Sequence, residues 1–393
     1  MNNFSFYSPT KVIFGKGVAD QIGAETKAWG GTKVLIHYGG GSVVRSGLLD
    51  RVKKSLDEAG IAHVELGGAV PNPRLGLVYE GIDLCRKEGV DFILGIGGGS
   101  AIDSAKAIAI GVPYEGDVWD IYLNKVKETD ALPHANIITL AATGTETSSS
   151  SVITNEDGWL KRGHNCQFNR PRFTLMDPEL LYTLPPYQTA CGIVDIMMHT
   201  MDRYFSHGGI NEVTDRIAEV ILRTTIQYGK ICMEDPENYE ARSEVMWAGS
   251  LSHNHLTGLG LPGDWAPHQI EHELGGMFDV AHGAGLAAIW NSWASYVYDA
   301  NPMRFARFGV NVWGLDMNWE DPSVTAREAI RCTVDFFHSI GMPVTTTELL
   351  GRETTEEEMQ ELAVKSTYFG ARKLGNMKVL EEKDILEIYR NAR

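Results

Sequence analysis

DFILGIGGGSAIDSAKAIAIG, residues 91–111, carries the reading of the fold. Residues 91–97 form a short apolar run bounded by glycine, the pattern of a strand buried on both faces, and residues 100–111 have the composition and length of a helix. The turn between them, Gly97-Gly98-Gly99-Ser100, leaves its backbone N–H groups uncovered by side chains. At a helix start, such groups and the positive end of the dipole suit a pyrophosphate. Gly95 to Ser100 is close to GxGxxG but ends in serine, so a purely structural turn fits the residues equally well. There is no GxxxxGK[ST] pattern, which argues against a P-loop nucleotide hydrolase.

The same alternation precedes this stretch. KVLIHY at 33–38 reads as a strand, SGLLDRVKKSLDEAG at 46–60 as a helix, AHVELG at 62–67 as a strand and LVYEGIDLCRKEG at 77–89 as a helix. Repeated strand–helix–strand units predict a parallel sheet covered on both sides. After Pro185 and Pro186 the character changes to long amphipathic segments: QTACGIVDIMMHTMDRYF (188–205), DRIAEVILRTTIQYGKIC (215–232) and SEVMWAGSLSHNHL (243–256). A chain of 393 residues exceeds one ordinary core. The expected organisation is an α/β Rossmann-like dinucleotide-binding domain over 1–185 and an all-helical domain over 186–393. The acidic TTEEEMQEL at 354–362 reads as a solvated helix start, where acids favour the dipole's positive end.

The helical half offers chemistry. Asp195 and His199, four apart in GIVDIMMHTM, share one helix face, and His268 and His282 in APHQIEHELGGMFDVAHGAG complete a candidate Asp/His₃ set for a divalent metal. Imidazole nitrogen with carboxylate oxygen suits zinc or ferrous iron. A satisfied polar pair on a helix fits the spacing of Asp195 and His199 too. The glycines of AHGAG are expected to turn the backbone and bring His282 inward from a loop. His268-Gln-Ile-Glu271-His272 also matches H-x-x-E-H, the inverted zincin pattern of a metallopeptidase, but that reading leaves Asp195, His199, His282 and both glycine loops without a role. His253 and His255, two apart, point away from each other on a helix and make no ligand pair.

A second glycine turn, Gly39-Gly40-Gly41-Ser42, follows Tyr38 at the end of the first of these strands. A site that prefers NAD commonly places a carboxylate there against the adenosine ribose; none stands here, so nothing repels a 2′-phosphate, and Arg45 and Lys161 are candidate cations for it. TLAATGTETSSSS at 139–151 is too rich in hydroxyls for a core strand and reads as a strand-to-loop transition able to hydrogen-bond phosphate, ribose or amide.

A net charge of −16 argues against nucleic acid and anionic membranes as partners. Five widely spaced cysteines, odd in number and without a CxxC pair, suit free thiols in a reducing compartment. With no apolar run long enough for a bilayer and no leader-like start, a cytoplasmic location is expected.

GGGSAIDSAK (97–106), PNPR (71–74), TGTE (143–146) and the Asp195/His199/His268/His282 spacing with its HGAG loop resemble the iron-containing alcohol dehydrogenase family, over essentially the whole chain. YGGGS (38–42), YTLPPYQ (182–188) and GIVDIMMHT (192–200) most resemble its NADP-dependent butanol dehydrogenase branch. The resemblance implies a dehydroquinate synthase-like architecture and reversible hydride transfer between NADP(H), preferred over NAD(H), and a small primary alcohol or aldehyde such as butanol or butanal. It implies one divalent metal, Fe2+ or Zn2+, on Asp195, His199, His268 and His282. For the cofactor it implies Gly39, Gly40 and Ser42 near the ribose, Asn72, Gly97, Gly98 and Ser100 at the pyrophosphate, and Thr139, Thr143, Ser148 and Lys161 around the remaining groups. Asp103 faces the cofactor or is a helix-surface acid. His272 either moves protons without binding the metal or orients a ligand. A lyase of the same architecture, such as dehydroquinate synthase, needs more Lys and Arg beside the metal motif than the sequence supplies. Trp247, Trp265 and Trp290 are candidate pocket walls. A homodimer is expected from the resemblance and from a strand-like N-terminus, FSFYSPTKVIF (4–14), able to pair at an edge.

Overall fold

The computed structural model describes residues 2–208 and 211–393. They fall into two compact units: Tyr7–Leu184, and Pro185–Arg393 joined by the N-terminal residues up to Phe6. The first residues side with the second unit, where Asn2 Nδ2 donates to the Gly260 carbonyl at 3.1 Å. The expected first domain, 1–185, is thus Tyr7–Leu184.

The Tyr7–Leu184 unit is built on a parallel six-stranded sheet. In chain order its strands are β1 (Lys11–Phe14), β2 (Lys33–Tyr38), β3 (Ala62–Leu66), β4 (Phe92–Gly97) and β5 (His134–Ile138), followed by β6 (Ser150–Asn155) and β7 (Leu160–Asn165), which form a separate antiparallel hairpin, and β8 (Phe173–Met176). The sheet order is β1-β8-β5-β4-β2-β3. Side chains of β2 alternate between two cores: Val34 and Ile36 pack with Leu48, Val52 and Leu56, whereas Leu35 packs with Val78, Ile82 and Ile108. Helices Leu48–Glu58 on one face and Leu75–Glu88 and Gly99–Gly111 on the other supply those partners. Burial on both faces explains why 91–97 is continuously apolar instead of alternating. The chain winds outward from β2 to β3, then returns past β2 to β4 and β5. Winding therefore reverses between β2 and β4, and open α/β sheets bind ligands beyond the carboxyl ends of strands at such a point.

Two expectations change. The N-terminal strand is confined to Lys11–Phe14, pairing with β8, because Pro9 has no N–H for a ladder; Phe4, Phe6 and Tyr7 are exposed. The polar stretch after β5 runs as a loop to Ser149, as expected, but then enters the unforeseen β6–β7 hairpin, whose register sets Thr154 against Lys161 and whose Thr154 N–H donates to the Pro73 carbonyl.

The second unit carries no named strand among its described residues. Its central helix, Pro186–Tyr204, begins with proline at a position where the missing N–H costs nothing, and every residue from Thr189 to Tyr204 is buried. A helix buried all round excludes charge unless something compensates it. Asp195, His199, Asp202 and Arg203 are therefore the residues to explain. Helices Glu212–Glu234, Tyr239–His253, Ala266–Phe278 and His282–Val297 pack around it. The acidic stretch at 354–362 does start a helix, Glu356–Ser366, through a capping box between Thr355 and Glu358. No described helix is long and apolar enough to cross a membrane.

Candidate metal centre and cofactor loops

Asp195 and His199 lie one turn apart on Pro186–Tyr204, His268 on Ala266–Phe278, and His282 at the first position of His282–Val297. Three helices thus bring their side chains together. His268 Nε2 is 3.6 Å and His282 Nε2 3.7 Å from Asp195 Oδ1, and donor atoms of Asp195, His268 and His282 lie within 4.8 Å of one another. His199 stands beside them, its ring centroid 4.4 Å from that of His268 and its Nδ1 3.0 Å from Asp195 Oδ1.

Each imidazole is oriented from behind. His199 Nδ1 is 2.9 Å from the Asp195 carbonyl oxygen, His268 Nδ1 is 2.7 Å from Asp202 Oδ2, and His282 Nδ1 meets Glu271 Oε2. With each Nδ1–H donated to an oxygen, each ring in its neutral form keeps its Nε2 lone pair, the arrangement in which oxygen partners fix metal-binding histidines. Two buried atoms at the centre, Asp195 Oδ1 and His268 Nε2, have no hydrogen-bond partner. Such orphans are costly inside a protein, and a divalent cation at the point of convergence satisfies both. The grouped donors, the Asp195 carboxylate with the His268 and His282 imidazoles and with His199 beside them, are of the kind expected for Fe2+ or Zn2+.

The electrostatics agree. Burial alone would raise the Asp195 carboxyl, but His199, His268 and His282 outweigh it and hold it well below the ordinary range. Burial lowers His199 to about 4, so it is neutral and ready to ligate. Burial also disfavours charge on His268, yet Asp202 and Asp195 raise it to about 9, so in the metal-free protein His268 carries a proton that a cation displaces.

AHGAG works differently from its sequence reading. His282 begins a helix, and the glycines permit close packing: a Cβ at Gly283 would come within 2.2 Å of the Cys191 carbonyl oxygen, and one at Gly285 within 2.8 Å of Glu271 Cγ. His272 is half-buried with its ring centroid 5.7 Å from that of His282. Among the described residues, His268 groups with Asp195 and His282 and not with His272, while Glu271 faces His282; the peptidase arrangement is not formed. His253 and His255 likewise form no pair, but the His253 ring meets that of His199 edge-on with centroids 4.0 Å apart, and burial holds it well below the usual imidazole range. Of the three tryptophans, Trp265 borders the centre, 5.6 Å from His268; Trp247 is an exposed helix residue and Trp290 lies in the core.

In the sheet unit, the loops after β2, β4 and β5 meet at the carboxyl edge. The position of a Cβ on Gly97 is 4.0 Å from Gly39 N, Thr139 N donates to Gly97 O at 2.9 Å, and a Cβ on Gly99 would strike Thr143 Cγ2 at 2.7 Å. Gly39, Gly40, Ser42, Gly97, Gly98, Ser100, Thr139 and Thr143 therefore belong to neighbouring loops, with Gly98 capping the helix that starts at Gly99. Arg45 folds back over this region: its Nη1 lies 2.4 Å from where Gly41 would carry a Cβ. Asn72 and Lys161 are buried to either side of the Pro73–Thr154 contact.

Asp103 and Ser148 sit deeper. The Asp103 carboxylate accepts from the Thr145 hydroxyl and, at 2.9 Å, from Val152 N, so it ties down the polar loop. Beside it is Lys106, fully buried, whose Nζ donates to Thr145 O at 2.6 Å, Thr145 Oγ1 at 2.7 Å and Ser150 O at 2.8 Å and lies 3.4 Å from Ser148 Oγ. Sequence reasoning passed over Lys106 and Asp202, weighed Glu271 only within the peptidase pattern, and set His253 aside with His255. Asp202 was within reach of it, being seven after Asp195 on the same helix face.

The model of the iron-containing alcohol dehydrogenase family matches residues 9–178, and that of the Fe-containing alcohol dehydrogenase family C-terminal domain matches residues 189–393. The chain is 44% identical to NADH-dependent butanol dehydrogenase A of Clostridium acetobutylicum over 394 residues, covering 100% of both. It is 36% identical to the NADPH-dependent aldehyde reductase YqhD of Escherichia coli, covering 87% of this chain and 88% of that protein. The crystal structure of an NADH-dependent butanol dehydrogenase A from Thermotoga maritima superposes with a TM-score of 0.95 at 38% identity, covering 100% of this chain and 99% of the other. With both halves matched in order and the same fold throughout, the chain is an oxidoreductase of the iron-containing alcohol dehydrogenase family.

Proposed function

We propose that this enzyme interconverts small primary alcohols and aldehydes, of the size of butanol and butanal, by hydride transfer with NADP(H). The observation that carries the reading is the pair of orphaned atoms, Asp195 Oδ1 and His268 Nε2, aimed at one point among imidazoles whose outer nitrogens are already engaged. When bound, the divalent ion supplies a Lewis acid for a carbonyl or alcohol oxygen and the nicotinamide supplies the hydride. Asp195, His199, His268 and His282 hold the ion, and Asp202 and Glu271 keep two of the rings in the ligating tautomer. His272, beside His282 and half-exposed, passes the proton to or from the substrate oxygen. Gly97, Gly98 and Ser100 present backbone and hydroxyl donors to the pyrophosphate at the helix start, and Gly39, Gly40 and Ser42 receive the ribose. Asn72, Thr139, Thr143 and Lys161 line the remaining cofactor, while Asp103 and Ser148 support the loop from within.

The preference for NADP(H) rests on the absence of a carboxylate from residues 38–42 and on Arg45 folded over Gly41. The relatives' names divide on this point, so the residues must decide. With a panel of short primary alcohols and aldehydes, kcat/KM for NADPH should exceed that for NADH. Arg45→Ala should lower the NADPH value about tenfold, the loss of one charge-assisted contact, and the NADH value much less. Equal efficiency with both cofactors, or an equal effect of Arg45→Ala on both, would rule out this assignment.

A further inference from the structure

Away from both sites, Glu128, His164 and Cys166 place three different donor atoms within 4.8 Å of one another. Glu128 comes from the connection between the short helix Val118–Tyr122 and β5, while His164 and Cys166 flank Asn165 at the end of β7. Side-chain exposure is 6% for Glu128 and 9% for His164, and Cys166 is 8% exposed. His164 Nε2 is 2.9 Å from Glu128 Oε2, and the Tyr122 ring holds the imidazole edge-on with centroids 5.8 Å apart.

Glu128 is the anomaly. In KVKETD, residues 125–130, its neighbours on both sides are exposed and it alone turns inward. Burying a carboxylate costs several kcal/mol unless a countercharge meets it, and its ion-pair partner among the described residues is the imidazole of His164. Glutamate, thiolate and neutral histidine around a divalent ion sum to zero charge, which suits a buried site. Oxygen, nitrogen and sulfur together form the mixed donor set that zinc accepts at three protein ligands with water fourth.

We propose that Glu128, His164 and Cys166 form a second divalent-metal site of zinc type, which clamps the 123–133 connection to the end of the β6–β7 hairpin. It is separate from the Asp195 centre in sequence and in ligand chemistry, because that centre has no sulfur donor.

The sulfur provides the test. Chelator-treated wild-type protein is titrated with cobalt(II) chloride, following near-ultraviolet sulfur-to-cobalt charge transfer and cobalt content after desalting. The expected result is a charge-transfer band that saturates with one equivalent, two equivalents retained in total, and loss of the band on adding zinc. Cys166→Ser should abolish the band and retain one equivalent. Where Cys166→Ser fails to fold, the wild-type titration and its zinc competition decide alone. Absence of the band at excess cobalt in folded wild-type protein would overturn the proposal, as would a band that survives Cys166→Ser, which would assign it to another thiol.

Discussion

Asp195→Ala and His268→Ala proteins are expected to emerge without metal at the helical centre and with kcat/KM for aldehyde reduction down by about three orders of magnitude or more. A Lewis acid contributes several kcal/mol of transition-state stabilisation, and each ~1.4 kcal/mol is a factor of ten. The carboxylates behind the imidazoles should behave differently. Asp202→Asn and Glu271→Gln leave every ligand in place but remove the acceptor that fixes His268 or His282. Metal affinity should fall roughly 10–100-fold in each, with most activity recovered at excess metal. Titrating metal into each variant separates the two behaviours. Full activity in a metal-free His268→Ala protein would remove the ion from the chemistry, and wild-type affinity in both carboxylate variants would remove their orienting role.

Lys106→Met carries the second large effect, on stability. Lys106 Nζ is the shared donor for Thr145 and Ser150 acceptors, and Asp103 is the largest influence favouring its charge. Removing it leaves buried acceptors unpaired and the Asp103 carboxylate without its cation, a loss of about 3–5 kcal/mol in the unfolding free energy. Burial, partly offset by Asp103 and Glu146, lowers Lys106 to about 8. Between about pH 8 and the unfolded value of 10.5, the unfolded chain therefore binds more protons than the folded one, so Lys106's contribution to stability rises with pH across that window. The gap between wild type and variant should accordingly widen from pH 7 to pH 10 in urea unfolding. A variant within 1 kcal/mol of wild type at pH 7, on the scale of a surface substitution, would contradict the role given to Lys106.

Much of the fold could be read from residue patterns. The helices at Leu48–Glu58, Leu75–Glu88 and Gly99–Gly111, and strands β2 to β4, lie within two residues of the ranges that periodicity and glycine stops indicate. These elements have a buried face, and burial writes itself into the order of apolar residues. The β6–β7 hairpin lacked that signal, because SSVITN and LKRGHN satisfy their backbones by pairing with each other and bury few apolar side chains. The N-terminal aromatics are a different case. FSFYSP has strand composition, yet Phe4, Phe6 and Tyr7 remain exposed and the strand waits until Lys11.

At the centre, helical spacing indicated that Asp195 and His199 share a face, but convergence with His268 and His282 is a tertiary fact that spacing cannot express. The orienting carboxylates were harder still. Asp202 and Glu271 resemble ordinary helix acids until Nδ1 of His268 and of His282 is seen against them. Asp103 illustrates the same limit within the cofactor loops: its position after the glycine turn suggested either a cofactor contact or a surface acid, and nothing in the sequence signalled that its carboxylate accepts from Thr145 and Val152. The glycines of AHGAG were noticed for the freedom they give a backbone. Their use is to let Cys191 and Glu271 come close.

The most direct test of the central claim is to strip the wild-type enzyme of metal with a chelator and measure butanal-dependent NADPH oxidation before and after stoichiometric Fe2+ or Zn2+ is restored. Loss of activity on stripping, and recovery that saturates as the helical centre fills, is the result predicted. Undiminished aldehyde reduction by the metal-free enzyme would contradict it.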